Sequence, residues 1–303
     1  MKKIVISGAT GSIGVSLIQQ AIKRNINVLC LVRNDTKRME NIPTSNLVKI
    51  TFCSADEYQR LNDSDIYDSF YHLAWEGTFG TERENVELQQ RNIKNTLDAV
   101  YLAKRLGCKK FIGVGSQSEY GVQSVPLNSK TPISPQSAYG IAKYSAGMLS
   151  KILCTQLDLE FNWVRVLSVY GLMDAPNSLI KYTINELLEN RSPEFTKSEQ
   201  IWDYLYCDDA ADALLAIGIK GINGKTYTLG SGQGKKLFDF IKIIKACIPT
   251  NINLNFGKRD YYLNQPMFLV ADITELINDT GWNPSTSFEE GINKIIKTIR
   301  CKN

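Results

Sequence analysis

Lys3-Ile4-Val5-Ile6-Ser7-Gly8-Ala9-Thr10-Gly11-Ser12-Ile13-Gly14 is the stretch that decides the fold, and Leu17, Ile18, Ala21 and Ile22 follow it at helical spacing. A short apolar strand, a Gly-x-x-Gly-x-x-Gly turn and an amphipathic helix in this order make a dinucleotide-binding fingerprint. Gly8 permits the tight turn, and Gly11 lets the backbone approach a pyrophosphate. Gly14 lets the helix pack on the strand while its amide end faces the anion. A glycine turn without a ligand is the plain alternative; the flanking elements and the place at the start of the chain favour the ligand.

Outward from the fingerprint the chain alternates strand-like and helix-like segments. Strands are expected at 27–32, 48–52, 70–74 and 110–115, with a long helix over 85–106 closed by Gly107. This alternation implies an α/β fold with a doubly wound parallel sheet, whose ligands lie at the carboxyl ends of the strands. The second strand ends in Arg33, where the NAD version of such a fold carries an acid for the ribose 2′-hydroxyl. A forked cation suits a 2′-phosphate instead, with Asn34 and Lys37 or Arg38 as helpers, so NADP(H) is favoured over NAD(H). The polar loop Ser116-Gln117-Ser118-Glu119-Tyr120-Gly121 follows the fifth strand at such a carboxyl end. His72, the single histidine, lies within a strand-like run and is expected to be packed or bridging.

Tyr139-Gly140-Ile141-Ala142-Lys143 carries the chemistry. On a helix capped by Ser137, Tyr139 and Lys143 project from one face, a turn apart. A protonated Lys beside a phenol favours the phenolate, so that Tyr can pass a proton near neutral pH. The spacing alone is a weak signal, because two common residue types four apart recur by chance. The fingerprint and the hydroxyl-bearing loop at Ser116 give it context.

The 303 residues are 43% apolar and 22% charged, an ordinary globular balance. The net charge of +4 is scattered over short pairs such as Lys2-Lys3, Lys109-Lys110 and Lys235-Lys236. That excludes a nucleic-acid stripe and leaves a modest bias towards phosphorylated small molecules. Seven cysteines occur singly with no Cys/His cluster, so a reduced, cytoplasmic protein without a metal site is expected. Neither a signal-peptide layout nor an apolar run of about 18 residues is read, so no membrane span is expected.

Taken together, Gly8-x-x-Gly11-x-x-Gly14, Phe70 to Ala74, Asn92, Ser116 to Gly121, Tyr139-x-x-x-Lys143 and Val169-Tyr170-Gly171 resemble the extended short-chain dehydrogenase/reductases. The nucleotide-sugar epimerase/dehydratase group is the nearest, over almost the whole chain. The resemblance implies a Rossmann domain over 1–170, rejoined at about 200–230, and a smaller substrate-binding part over 171–199 and 231–303. It implies Tyr139 as general acid/base, Lys143 as its pKa tuner and ribose ligand, and Ser116 as the hydroxyl that polarises the substrate. Thr10, Ser12, Ile13, Leu73 and Ala74 would join the three glycines, Arg33, Tyr139 and Lys143 around the dinucleotide. Gln117, Ser118, Ser168, Trp202 and Arg259 would join Ser116 around a nucleoside-diphosphate sugar. A homodimer built on helices 85–106 and 138–154 is also implied.

Departures from the family's pattern narrow the activity. Ser118 stands where its sugar 4,6-dehydratases carry an acid, and Gln117 where some carry Asp, which disfavours dehydration. Ser54, with Asp56 after it, stands where an adenine-side Asp is usual. Ser168 replaces a frequent Asn and Trp202 an Arg; an indole there either walls the sugar or belongs to the core. Arg259 is the first choice for the anion clamp. Asp208 and Asp209 read as helix caps, and the glycine turn over 230–234 as a simple connection. The leading expectation is an NADPH-dependent reductase of a nucleotide-linked 4-keto-6-deoxy sugar. A 4-epimerase is the alternative, and a non-enzymatic cofactor sensor a third class.

Overall fold

The computed structural model describes residues 1–262 and 265–302. Its elements run β1 (Lys3–Ser7), α1 (Ser12–Lys23), β2 (Asn27–Val32), β3 (Val48–Phe52), β4 (Ser69–His72), α2 (Val86–Arg105), β5 (Lys110–Ser116), α3 (Ala138–Gln156), β6 (Glu160–Val166) and β7 (Ser168–Tyr170). The chain continues through α4 (Leu179–Leu188), β8 (Ile201–Trp202), β9 (Tyr204–Tyr206), α5 (Cys207–Lys220), β10 (Thr226–Leu229), β11 (Lys235–Lys236), α6 (Leu237–Ala246), β12 (Phe268–Leu269), α7 (Thr274–Thr280) and α8 (Phe288–Lys302). The strands expected from the sequence are all present, β4 ending two residues short of the expected Ala74.

The main sheet has seven parallel strands in the order β10-β6-β5-β4-β1-β2-β3. The chain moves outward from β1 to β2 and β3, then crosses back to β4 on the other side of β1. That reversal opens a crevice at the carboxyl ends of β1 and β4. Both faces of the sheet are covered, which is why β1 reads as a continuous apolar run rather than an alternating one. Ile4 and Ile6 pack with Leu17 and Ile18 of α1 and Leu214 of α5, whereas Val5 packs with Val100 of α2 and Leu153 of α3.

A third apolar cluster joins Ile180 and Ile184 of α4, Ile244 of α6 and Ile292, Ile295 and Ile296 of α8. The strands of two small sheets, β11-β8-β12 and β7-β9, alternate with these helices along the chain, and β10, which follows α5, returns to pair with β6. The glycine turn over 230–234 does close around an anion, but the anion is the chain's own. The buried Asp203 carboxylate accepts from the amides of Ser231 (2.7 Å), Gly232 (2.9 Å) and Ala271 (3.1 Å). Asp208 and Asp209 are not the caps the sequence suggested. Asp208 accepts from Ser16 Oγ on α1 at 2.9 Å, and Asp209 accepts from the Thr286 amide at 2.8 Å, so each carboxylate ties α5 to a neighbour. Among the described residues no helix is long and apolar enough to cross a membrane.

Candidate active site

The glycine turn after β1 is closely packed at two of its glycines and open at the third. Gly8 has φ +73°, and a Cβ there would lie 2.8 Å from the Ala74 amide, so Leu73 and Ala74 pack directly on it. A Cβ on Gly14 would lie 2.3 Å from the Gly8 carbonyl oxygen, whereas one on Gly11 would meet only that oxygen, at 3.5 Å. Gly8 and Gly14 are therefore committed to packing, and Gly11 keeps the space above the turn free. Gly11 is also the N-cap of α1, with no side-chain cap, so the first amides of Ser12 and Ile13 are left for a ligand. An uncapped helix end over an open glycine fits a dinucleotide pyrophosphate.

Asn92 holds the next loop: its Oδ1 accepts from the Glu76 amide at 3.1 Å and its Nδ2 donates to the Glu76 carbonyl at 2.9 Å. Arg33, just past β2, pairs with the Glu76 carboxylate at 3.0 Å. Because β1 lies between β2 and β4, this exposed ion pair reaches across the carboxyl end of β1.

Ser116 ends β5, and Glu119 fixes it there: the Ser116 amide donates to Glu119 Oε1 at 2.8 Å, while Ser116 Oγ accepts from the Ser118 amide at 3.2 Å. Glu119 is fully buried, bound to Arg165 Nε at 2.7 Å and accepting from Trp163 Nε1 at 3.0 Å. Ser137 caps α3 as expected, accepting from the Gly140 amide at 3.0 Å. Tyr139 and Lys143 then project from one face of α3 into the end of β5. Lys143 Nζ donates to the Val114 carbonyl at 2.6 Å and stands 3.9 Å from the centre of the Trp75 ring. Trp75 also meets Tyr139 edge to face.

The electrostatics differ from the sequence expectation in one respect. Lys143 Nζ is 6.0 Å from the centre of the Tyr139 ring, and the Arg83 guanidinium is closer, at 4.2 Å. Burial pushes Lys143 down to about 7, with Glu119 acting against that. Burial pushes the Tyr139 phenol up; the Ser116 hydroxyl and then the Arg83 charge pull it back, while Glu119 adds to the rise. The cation bearing on the phenol in this structure is thus Arg83 rather than Lys143. Arg83 lies in the short turn Gly80–Glu84, donating to the Thr78 carbonyl at 3.0 Å and to Ser118 Oγ at 2.7 Å. In sequence it belongs to a charged run, Glu82-Arg83-Glu84, that looks like solvated surface, so no periodic signal could have singled it out.

The remaining residues fall into smaller groups. Gln117 Nε2 donates to Ser118 Oγ at 3.3 Å. Trp202 Nε1 donates to Ser168 Oγ at 2.7 Å, so two of the positions that depart from the family's pattern are partners of each other. Arg259 meets Tyr182 of α4, its Nη2 donating to the phenol at 3.1 Å. Ser54 forms a capping box with Glu57, an arrangement that leaves it a local structural role. His72 is buried and bridges Ser7 Oγ (2.8 Å) and Thr96 Oγ1 (3.2 Å), as its place in a strand suggested; burial drives its pKa down to about 3.

Comparison with known proteins is decisive on family. The profile of the NAD dependent epimerase/dehydratase family matches residues 4–230. The chain belongs to this family. It is similar to CDP-abequose synthase of Salmonella typhimurium, at 27% identity over 98% of both chains. It is also similar to dTDP-4-dehydro-6-deoxyglucose reductase of Escherichia coli, at 23% identity over 99% of this chain and 98% of that one. Among solved structures, UDP-N-acetylglucosamine 4-epimerase from Methanobrevibacter ruminantium superposes with a TM-score of 0.90 over 100% of this chain and 99% of its own, at 22% identity. The family, fold and enzyme class read from the sequence all stand.

Proposed function

We propose that this protein reduces the 4-keto group of a nucleotide-linked 6-deoxy sugar with NADPH. The observation that carries this reading is the turn after β5, which offers no carboxylate to a substrate. Ser118, at the acid's position, is neutral and engaged by Arg83, and Glu119 is buried on Arg165 and Trp163. Loss of water needs an acid and base there; exchange between a carbonyl and an alcohol does not. The similarity to a relative named as a reductase of a dTDP-linked 4-dehydro-6-deoxy sugar supports the same choice.

In this reading Gly8, Gly11 and Gly14, with the first turn of α1, hold the pyrophosphate, and Arg33 takes the 2′-phosphate. The exposed pair with Glu76 is worth about 1 kcal/mol or less, so a phosphate can take the carboxylate's place. A bound nicotinamide supplies hydride transfer to carbon. Tyr139 gives its phenolic proton to the sugar oxygen, Ser116 Oγ donates to the same oxygen, and Lys143 binds the ribose. Trp202, braced by Ser168, walls the sugar, and Arg259 clamps the diphosphate. The apolar residues Ile141, Met148, Leu149 and Ile152 exposed on α3, with Tyr101 on α2, support a homodimer through these helices.

A 4-epimerase is the second reading, favoured by the Glu76 carboxylate beside Arg33, which gives the ribose end an acid of the kind NAD uses. Following nicotinamide absorbance with a nucleotide-linked 4-keto-6-deoxy sugar separates the two. Sugar-dependent oxidation of NADPH is expected. Conversion of a nucleotide sugar with no net consumption of NADPH would exclude the reductase.

A further inference from the structure

The groups that face Tyr139 come from four places. Its own helix brings Lys143, 6.0 Å from the ring centre; the end of β5 and the turn after it bring Ser116 and Glu119; the loop after β4 brings the Trp75 ring; and the turn Gly80–Glu84 brings Arg83. Lys143 is turned towards the Val114 carbonyl and the Trp75 ring, and its buried ammonium holds its proton only weakly. The Arg83 guanidinium is fixed at both ends of its fork, on the Thr78 carbonyl and on Ser118 Oγ. A guanidinium 4.2 Å from the ring centre is in cation–π range, and such a contact orients the ring as well as biasing its charge. Ser118 thereby acquires a part in the site: the hydroxyl that stands in the dehydratase acid's place is the anchor of this cation.

We propose that Arg83 is a positioning residue of the active site, fixed over the Tyr139 ring by Ser118 and Thr78, which supplies the positive potential in which the phenol exchanges its proton. The inference rests on Tyr139 being the proton-transfer group, and on nothing about which sugar is turned over. A neutral residue at 83 removes that potential and leaves the phenol harder to ionise; a lysine keeps the charge but not the two-point anchor.

The test places a fluorinated tyrosine, whose phenol ionises near neutral pH, at position 139 by codon reassignment, and reads its ionisation by fluorine NMR. Arg83→Gln is expected to raise the midpoint by about one pH unit, the low end of the effect of an opposite charge a few ångströms away. Arg83→Lys is expected to raise it by less, and Arg83→Met serves in place of an Arg83→Gln protein that does not fold. A midpoint unmoved in a folded charge-free variant overturns the inference, as does Arg83→Lys moving it as far as Arg83→Gln. Because the readout is the phenol itself, it is obtained whether or not a sugar is reduced. Failure of the reductase reading would leave the shift intact; failure of this inference would leave turnover intact and the shift absent.

Discussion

Replacing Lys143 by Met is expected to stabilise the protein at neutral pH while removing a residue of the candidate active site. Lys143 is 4% exposed, and its ammonium has the Val114 carbonyl and the Trp75 ring as neighbours. Burial moves its pKa from 10.5 to about 7, so between those values the unfolded chain binds a proton that the folded chain has released. Where the unfolded state binds more protons, stability rises with pH; here that window runs from about 7 up to 10.5. Linkage puts the penalty at about 4 kcal/mol near the lower end and about 1 kcal/mol near pH 10. Met forfeits the hydrogen bond and the ring contact, together about 1–2 kcal/mol. The net gain is then about 2 kcal/mol at neutral pH, vanishing or reversing on the alkaline side. Urea unfolding of both proteins across this window isolates the one group, because every other titrating side chain is common to the pair. A difference that stays flat with pH, or a wild type that is the more stable at neutral pH, would refute the reasoning.

Three further substitutions test the same site. Tyr139→Phe should keep the fold and lose about 10²–10⁴-fold in turnover, read by steady-state kinetics, since only the proton-bearing oxygen is removed. Gly14→Ala should sharply weaken dinucleotide binding, read by fluorescence titration, because its Cβ would sit 2.3 Å from the Gly8 carbonyl oxygen and force the turn open. Glu119→Ala should destabilise the protein by about 3–5 kcal/mol in urea unfolding, the usual cost of stranding a buried charge, here Arg165. The same change should lower turnover, because the Ser116 amide loses the carboxylate that holds it.

The order of elements, the parallel sheet and the glycine turn are legible in the residues alone, because each of these is written in short-range periodicity: apolar runs for strands buried on both faces, helical spacing between them, glycines where the backbone turns or packs closely. Ser116, Tyr139 and Lys143 were legible for the same reason, since a strand end and one face of a capped helix suffice to bring them to the same crevice. The electrostatics of that crevice come instead from how distant segments pack together. Which cation stands over Tyr139 depends on how the turn Gly80–Glu84 lies across the end of α3, and that follows from anchors 35 residues apart in sequence, Arg83 on Ser118. Whether Glu119 faces substrate or core, and whether the glycine turn over 230–234 closes on a ligand or on Asp203, are likewise settled by partners remote in the chain. Strand and helix patterns are local and repeat; an ion pair or hydrogen bond between distant segments leaves no period in the sequence, and here such contacts place Arg83 over Tyr139 and turn Glu119 onto Arg165.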